Sequence, residues 1–339
     1  ADGTDGESDE CAFELAAQYF SSLDSAIIKI LTISQGTYYI GKQDAGLGMY
    51  WLQGHNVLSF SNVRNLTIIG EVDQNNNPIS ILKLNPCMKH GAFSPATGQR
   101  HIGYVWIRNQ TDPVLAAATV TSNNYNICAT VGDMIYLNYC NRIRIQDIEL
   151  DGNISETVIG GGFTEGMQQL DYSGITLNAA KNVVLENVYV HHFGYDGLAV
   201  RDRYCPNDPA VDLNAVGLNL VMNNCKFTYN CRNNVTWAGG YKLTANACKF
   251  YYAGQSRYTS KPGAGLDIEY EPYVGAYGYP NSNGTFNDCE FGYNYYYGMI
   301  NDVHADPPNT GPNFPPTRNM HFNHCTFIGD YYSIQNSGK

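Results

Sequence analysis

Asn224-Cys225-Lys226-Phe227 recurs down the chain as Ala247-Cys248-Lys249-Phe250, Asp288-Cys289-Glu290-Phe291 and His324-Cys325-Thr326-Phe327. Two aliphatic versions precede it, Asp147-Ile148-Glu149-Leu150 and Asn187-Val188-Tyr189-Val190. Counting from the Cys, or from Ile148 and Val188, apolar residues also stand five and three positions earlier. They are Ile143 and Ile145, Val183 and Leu185, Leu220 and Met222, Leu243 and Ala245, and Met320 and Phe322. Only Gly284 breaks that column. Alternation of period two marks a strand with one buried face. The origins are 40, 37, 23, 41 and 36 residues apart, one short turn of chain lengthened by loops in most copies. Short strands stacked at such intervals make a solenoid.

A solenoid grows by adding rungs, so 339 residues fit one elongated body. The expected organisation is an N-terminal segment with a capping helix over residues 1–28 and a single β-solenoid domain over residues 29–339. The 27 Tyr and 34 Gly suit pleated strands joined by tight turns. From Glu10 to Ile28, Cys11, Leu15, Tyr19, Leu23 and Ile27 recur at four-residue steps, with Ala12, Ala16 and Phe20 beside them. That spacing predicts a helix covering the first apolar rung.

A net charge of -11 argues against nucleic acid, whose phosphates would repel the surface. No run of about 18 apolar residues offers a membrane span. The opening Ala1-Asp2-Gly3 reads as the start of a processed chain, and sequons at Asn65, Asn109, Asn153, Asn234 and Asn283 fit a secreted glycoprotein. Chance sequons are common in so Asn-rich a chain. Ten cysteines, an even number, point to an oxidising compartment. Cys225, Cys248, Cys289 and Cys325 would form an inward column spaced about 4.8 Å, wider than the Cβ separation of a disulfide. A straight column cannot wrap zinc tetrahedrally either, so these four are expected as buried thiols. Cys11, Cys87, Cys128, Cys140, Cys205 and Cys231 fall in turns, loops or the cap, where pairing stays open.

The run Lys29-Ile30-Leu31-Thr32-Ile33-Ser34-Gln35-Gly36-Thr37-Tyr38-Tyr39-Ile40 reads as strand, glycine turn and strand. Asn56-Val57-Leu58-Ser59-Phe60 and Asn65-Leu66-Thr67-Ile68-Ile69-Gly70 follow. This opening resembles the secreted right-handed parallel β-helix proteins of the pectate-lyase-like superfamily, in which a Gly-Thr-Tyr strand leads into rungs of Asn, alternating aliphatics and a closing Gly or Asn. The resemblance runs from Ile28 onward and implies an all-β, right-handed parallel β-helix that is secreted. It does not select an activity, since lyases, hydrolases, epimerases and tailspikes share the fold. Gly265-Leu266-Asp267-Ile268-Glu269 also resembles a Gly-Ile-Asp-Ile-Glu-Pro signature of bacterial and phage β-helix proteins linked to polysaccharides. Here Tyr270-Glu271 intervenes before Pro272.

Each repeat carries a second strand about ten residues after its origin, unless a loop intervenes. The segments start at Gly174, Gly197, Asn234, Gly265 and Gly298. With the first and third following residues inward, two outward columns result: Thr176, Ala199, Thr236, Asp267, Ile300 and Asn178, Arg201, Ala238, Glu269, Asp302. Asp267 and Glu269 would have Cα atoms roughly 6.5 to 7 Å apart, within the range of an inverting glycosidase pair. Asp302 would stand one rung away as a third carboxylate. Crowded carboxylates raise one another's pKa and so suit general acid and base work. A calcium site or a solvated acidic stripe is the alternative use of the same three groups.

Arg201, Asp202 and Arg203 flank that face as substrate-binding candidates, with Lys261, Tyr270 and His304 reaching it from loops. His191 and His192 form a minor candidate pair at a turn. Tyrosines gathered between Tyr251 and Tyr297 suit stacking on sugar rings, strand edges or a homo-oligomer interface. The chemistry expected is cleavage of a polysaccharide by a glycoside hydrolase, with a lyase of the same fold second. A spike or filament subunit without chemistry is the reading from another class.

Overall fold

The computed structural model describes residues 8–45, 50–100, 105–106, 119–120, 127–161, 169–201, 219–269, 282–302 and 318–336. Mostly parallel strands wind into sheets of 14, eight and five strands, with a further two-stranded pair at Val105–Trp106 and Thr119–Val120, and form a right-handed parallel β-helix; the five-stranded sheet includes antiparallel pairs. The repeat predicted from the Cys phrase is the stacking register. Leu66, Ile143, Val183, Leu220, Leu243, Gly284 and Met320 pair in turn along the 14-stranded sheet. Ile148 pairs Val188, and the Phe position stacks directly: Phe227 on Phe250, Phe250 on Phe291 and Phe291 on Phe327, at 5.7, 4.8 and 4.7 Å.

Three corners close each turn, and each carries a residue in the left-handed region. Immediately before the origin stand Asp147, Asn187, Asn224, Ala247, Asp288 and His324, with φ between 51° and 58°. Six residues before it stand Arg142, Asn182, Asn219, Lys242, Asn283 and Asn319. Four residues after it stand His192, Tyr229, Tyr252 and Tyr293. Asn and Asp tolerate this conformation better than other side chains, which accounts for their abundance. Asparagine ladders brace the corners: Asn246 donates to Asn223, Asn287 to Asn246 and Asn323 to Asn287, each at 2.8 Å.

The break at Gly284 has a physical cause. A Cβ there would meet Met320 Sδ at 2.4 Å and Trp237 Cζ3 at 3.0 Å, because Trp237 reaches across from the facing sheet and fills the space. The indole is fully buried and donates Nε1–H to the Gly239 carbonyl at 2.8 Å.

The cap is shorter than expected and turned. Helix α1 spans Glu10–Ser22 and buries Glu10, Phe13 and Ala17, with Phe13 edge-on to Tyr38 at 5.5 Å. Leu15 and Tyr19, two members of the expected stripe, are 59% and 61% exposed. Steps of four drift off one face of a 3.6-residue helix, whereas steps of three and four stay on it. Outside the repeats, Lys89–Ala92 and Val158–Gly160 are strands that pair in the five-stranded sheet.

Among the described residues the cysteines are free thiols. Cys225, Cys248 and Cys289 are buried, while Cys325 in the last rung is only half-buried; the S–H groups of Cys248 and Cys289 reach carbonyls of the neighbouring strand, as Cys289 does to Ala245 at 3.5 Å, and that of Cys225 reaches Asn223 in its own rung at 3.4 Å. Burial pushes the Cys231 and Cys128 thiols up to about 12. Cys205 lies outside the described residues. Two sequons are corrected: Asn234 and Asn153 are buried, and their amides donate to the Tyr251 and Leu84 carbonyls at 2.9 Å. An amide so committed is closed to glycosylation in the folded chain. No helix among the described residues is long and apolar enough to cross a membrane.

Candidate functional site

The eight-stranded sheet carries the second strands in the expected register. Thr176, Ala199, Thr236, Asp267 and Ile300 pair in one column. Asn178 pairs Arg201, and Glu269 pairs Asp302, in the other. These residues alternate with the core residues Leu198, Val200, Val235, Trp237, Leu266 and Ile268, so they do lie on the outer side. Most of them do not face solvent. Asp267 is 1% exposed and Glu269 4%, and Thr176, Ala199, Thr236 and Ile300 are buried too.

What covers them comes from the turns preceding the strands. A polar residue two positions before the first inward residue caps the next rung. Asn56 Oδ1 accepts from the Asp133 amide, Asp133 Oδ1 from Ser173, Asp196 Oδ1 from Asn233 and Asn233 Oδ1 from Ala264, at 2.7 to 3.1 Å. Arg232 stands beside this column and reaches over the sheet. One Nη1 donates to Asp196 Oδ2 at 3.3 Å, and Nη2 donates to Glu269 Oε2 at 3.1 Å and lies 3.6 Å from Asp267 Oδ2. Its Nε donates to the Lys261 carbonyl at 3.3 Å, and its guanidinium lies 4.8 Å from the centre of the Tyr195 ring.

Sharing one Nη2 limits the gap between Asp267 Oδ2 and Glu269 Oε2 to the sum of the two distances, 6.7 Å. Three carboxylates thus surround one guanidinium. Burial, and then the Glu269 charge, hold the Asp267 carboxyl well above its ordinary value, against the pull of Arg232. Burial raises Asp196 as well, with Arg232 opposing. Asp267 Oδ2 accepts from Asn233 Nδ2 at 2.8 Å, while its buried Oδ1 has no hydrogen-bond partner. A buried polar oxygen left without a partner is rare in folded proteins and marks this carboxyl out from the others in the cluster.

The remaining candidates divide. Arg201 is half-buried at the end of its strand, and its positive charge favours ionised Asp196 and Asp133. Lys261 touches the cluster through its carbonyl, while its ammonium lies 5.4 Å from the centre of the Tyr296 ring. Asp302 is placed in its strand by pairing with Glu269. Asp202, Arg203, Tyr270 and His304 lie outside the described residues. Sequence reasoning missed Arg232, Asp196 and Asn233; the polar column two places before each strand was the readable signal. The tyrosine expectation is also modified. His192, Tyr229, Tyr252 and Tyr293 stack on each other at 5.3, 4.6 and 5.5 Å, which uses their faces within the ladder and leaves edges outward.

No family model and no curated protein sequence matches the chain. Among solved structures it is similar to a mutant tailspike protein of E. coli bacteriophage HK620 in complex with a hexasaccharide, at 11% identity and a TM-score of 0.47, over 96% of this chain and 48% of that one. It is also similar to the Azotobacter vinelandii mannuronan C-5 epimerase AlgE4 A-module (13%, 0.34, over 98% and 94%). A third is the catalytic unit of a GH87 alpha-1,3-glucanase from Streptomyces thermodiastaticus (14%, 0.37, over 99% and 54%). The chain therefore spans about half the length of the tailspike and glucanase chains. The fold assignment rests on the strand register above.

Proposed function

We propose that the protein is a secreted β-helix that binds a polysaccharide along the outer face of its eight-stranded sheet and cleaves it by general acid and base chemistry. The observation that carries this reading is Asp267: buried, its carboxyl held well above its ordinary value, with one oxygen unpartnered and Glu269 beside it on the same strand. A carboxyl raised well above its ordinary value beside a second carboxyl can divide the roles of acid and base with it. The turn that carries Arg232 must move aside to admit substrate, since both carboxyl groups are buried; Asp267 then gives its proton to the glycosidic oxygen, and Glu269 takes one from the attacking water. Asp302 tunes the pair from the next rung. Arg201 anchors the substrate, joined by Lys261, Asp202, Arg203, Tyr270 and His304. Arg232 supplies positive charge between the carboxylates, the place a calcium ion would take, so the mechanism uses no cofactor.

The closure of three carboxylates on one guanidinium favours a second reading, in which the cluster is a strut of a non-catalytic adhesive or spike protein that assembles with its own copies. Incubation with a panel of neutral and acidic polysaccharides separates the two. The first reading expects new reducing ends, lost by at least ~10²-fold in Asp267→Asn and Glu269→Gln while both variants still melt cooperatively. Full activity in both variants would falsify the assignment. A product absorbing in the ultraviolet would instead identify a lyase. The anomer released reports inversion or retention, both of which a gap below 6.7 Å admits.

A further inference from the structure

His191 and His192 sit far from that chemistry in role, on the 14-stranded sheet, and their geometry asks for an ion. Asp151 and His191 are register partners on adjacent strands. His192 follows at the corner with φ 58°, which turns its ring back toward its neighbour. The two Nδ1 atoms face each other at 2.6 Å, Asp151 Oδ1 lies 3.7 Å from His191 Nδ1, and the three donor atoms all fall within 4.8 Å of one another.

Glu149 fixes which nitrogen of His191 is free. Its Oε1 lies 3.2 Å from His191 Nε2, so Nε2–H donates to the carboxylate and Nδ1 presents a lone pair to His192 and Asp151. A carboxylate behind the far nitrogen is the usual outer support of a metal-bound histidine. The rings are held: His191 packs on Tyr189 at 4.3 Å and His192 stacks on Tyr229 at 5.3 Å. A proton between the two nitrogens would satisfy them, and Asp151 is itself held by the Asn153 amide, which donates to Oδ1 at 2.8 Å, and by Lys83 at Oδ2, so the carboxylate is pre-positioned with a lone pair of Oδ1 still available to an ion.

We propose that Asp151, His191 and His192 bind one divalent transition-metal ion, with Glu149 as the outer carboxylate. Two imidazoles and one carboxylate match zinc, and three protein ligands leave a fourth position for water. Nitrogens on a tetrahedral zinc stand ~3.3 Å apart, given bonds of about 2.0 Å, so the pair opens by less than about 1 Å on loading. Lys83 opposes the ion: its ammonium lies 2.8 Å from Asp151 Oδ2, the oxygen turned away from His191 Nδ1. Its removal therefore strengthens binding.

The test is titration calorimetry of the full chain, stripped with EDTA and with its exposed thiols alkylated, using zinc chloride alone. The expected result is one equivalent bound, at least ~10-fold weaker in His192→Gln and Asp151→Asn, weaker by ~10-fold in Glu149→Gln and tighter in Lys83→Met. No binding by the parent chain overturns the proposal. So does binding that His192→Gln leaves unchanged or that Lys83→Met fails to strengthen. Lys83 is not a ligand, so its variant keeps the proposal falsifiable even where a ligand variant fails to fold.

Discussion

At the residue scale the decisive group is Asp267, whose state depends on its surroundings and not on its position in the strand. Its carboxyl keeps a proton well above 3.8, the value it has when unfolded. Once pH passes 3.8, the unfolded chain releases a proton that the folded chain retains. Stability from this group is thus fully present below that pH and falls as pH rises toward the folded value. Asp267→Asn removes the titration. Denaturant unfolding at pH 4 and pH 7 should show the variant gaining on the parent as pH rises; an equal difference at both values would show that Asp267 ionises normally. Asp267 and Glu269 were legible in the sequence because alternation places them. Arg232 and Asp196 were not, because a side chain leaving a turn acquires its neighbours only when the next rung stacks on it.

At the scale of the element, each rung is strands joined by left-handed corners, and the corner residue sets its strain. Asp147, Asn187, Asn224 and Asp288 suit that conformation, whereas Ala247, at φ 51°, has no side-chain oxygen to bond locally. Ala247→Asn should therefore stabilise the chain by about 0.5–1 kcal/mol, read as a raised denaturant midpoint with unchanged slope. Ala247 is exposed, so the added amide meets solvent. A lowered midpoint would mean that the corner is shaped by packing instead. The cap helix teaches the same distinction. Its existence was legible from apolar periodicity, but its buried face was not, because Leu15 and Tyr19 are as apolar as Phe13 and Ala17 and only the first rung selects among them.

At the scale of the whole molecule the sheets are coupled through shared volume. Gly284 and Trp237 lie far apart in sequence yet fill one space between facing sheets. Gly284→Leu would restore the apolar column but overfill the core, at a cost of about 1–3 kcal/mol by chemical denaturation. Trp237→Leu alone leaves a cavity. The double variant should recover part of both losses, giving a coupling of about 0.5–3 kcal/mol; strict additivity would show that the two sites do not share space. By itself the sequence determined the solenoid and its register, because a period of two repeated at rung length admits one set of inward columns. Only the tertiary structure decided burial of the outer face, the meeting of Arg232 with Asp196, Asp267 and Glu269, and the approach of His192 to His191 and Asp151. Those contacts run between rungs and between turns, where distance depends on how the coil stacks and charge depends on what water is excluded.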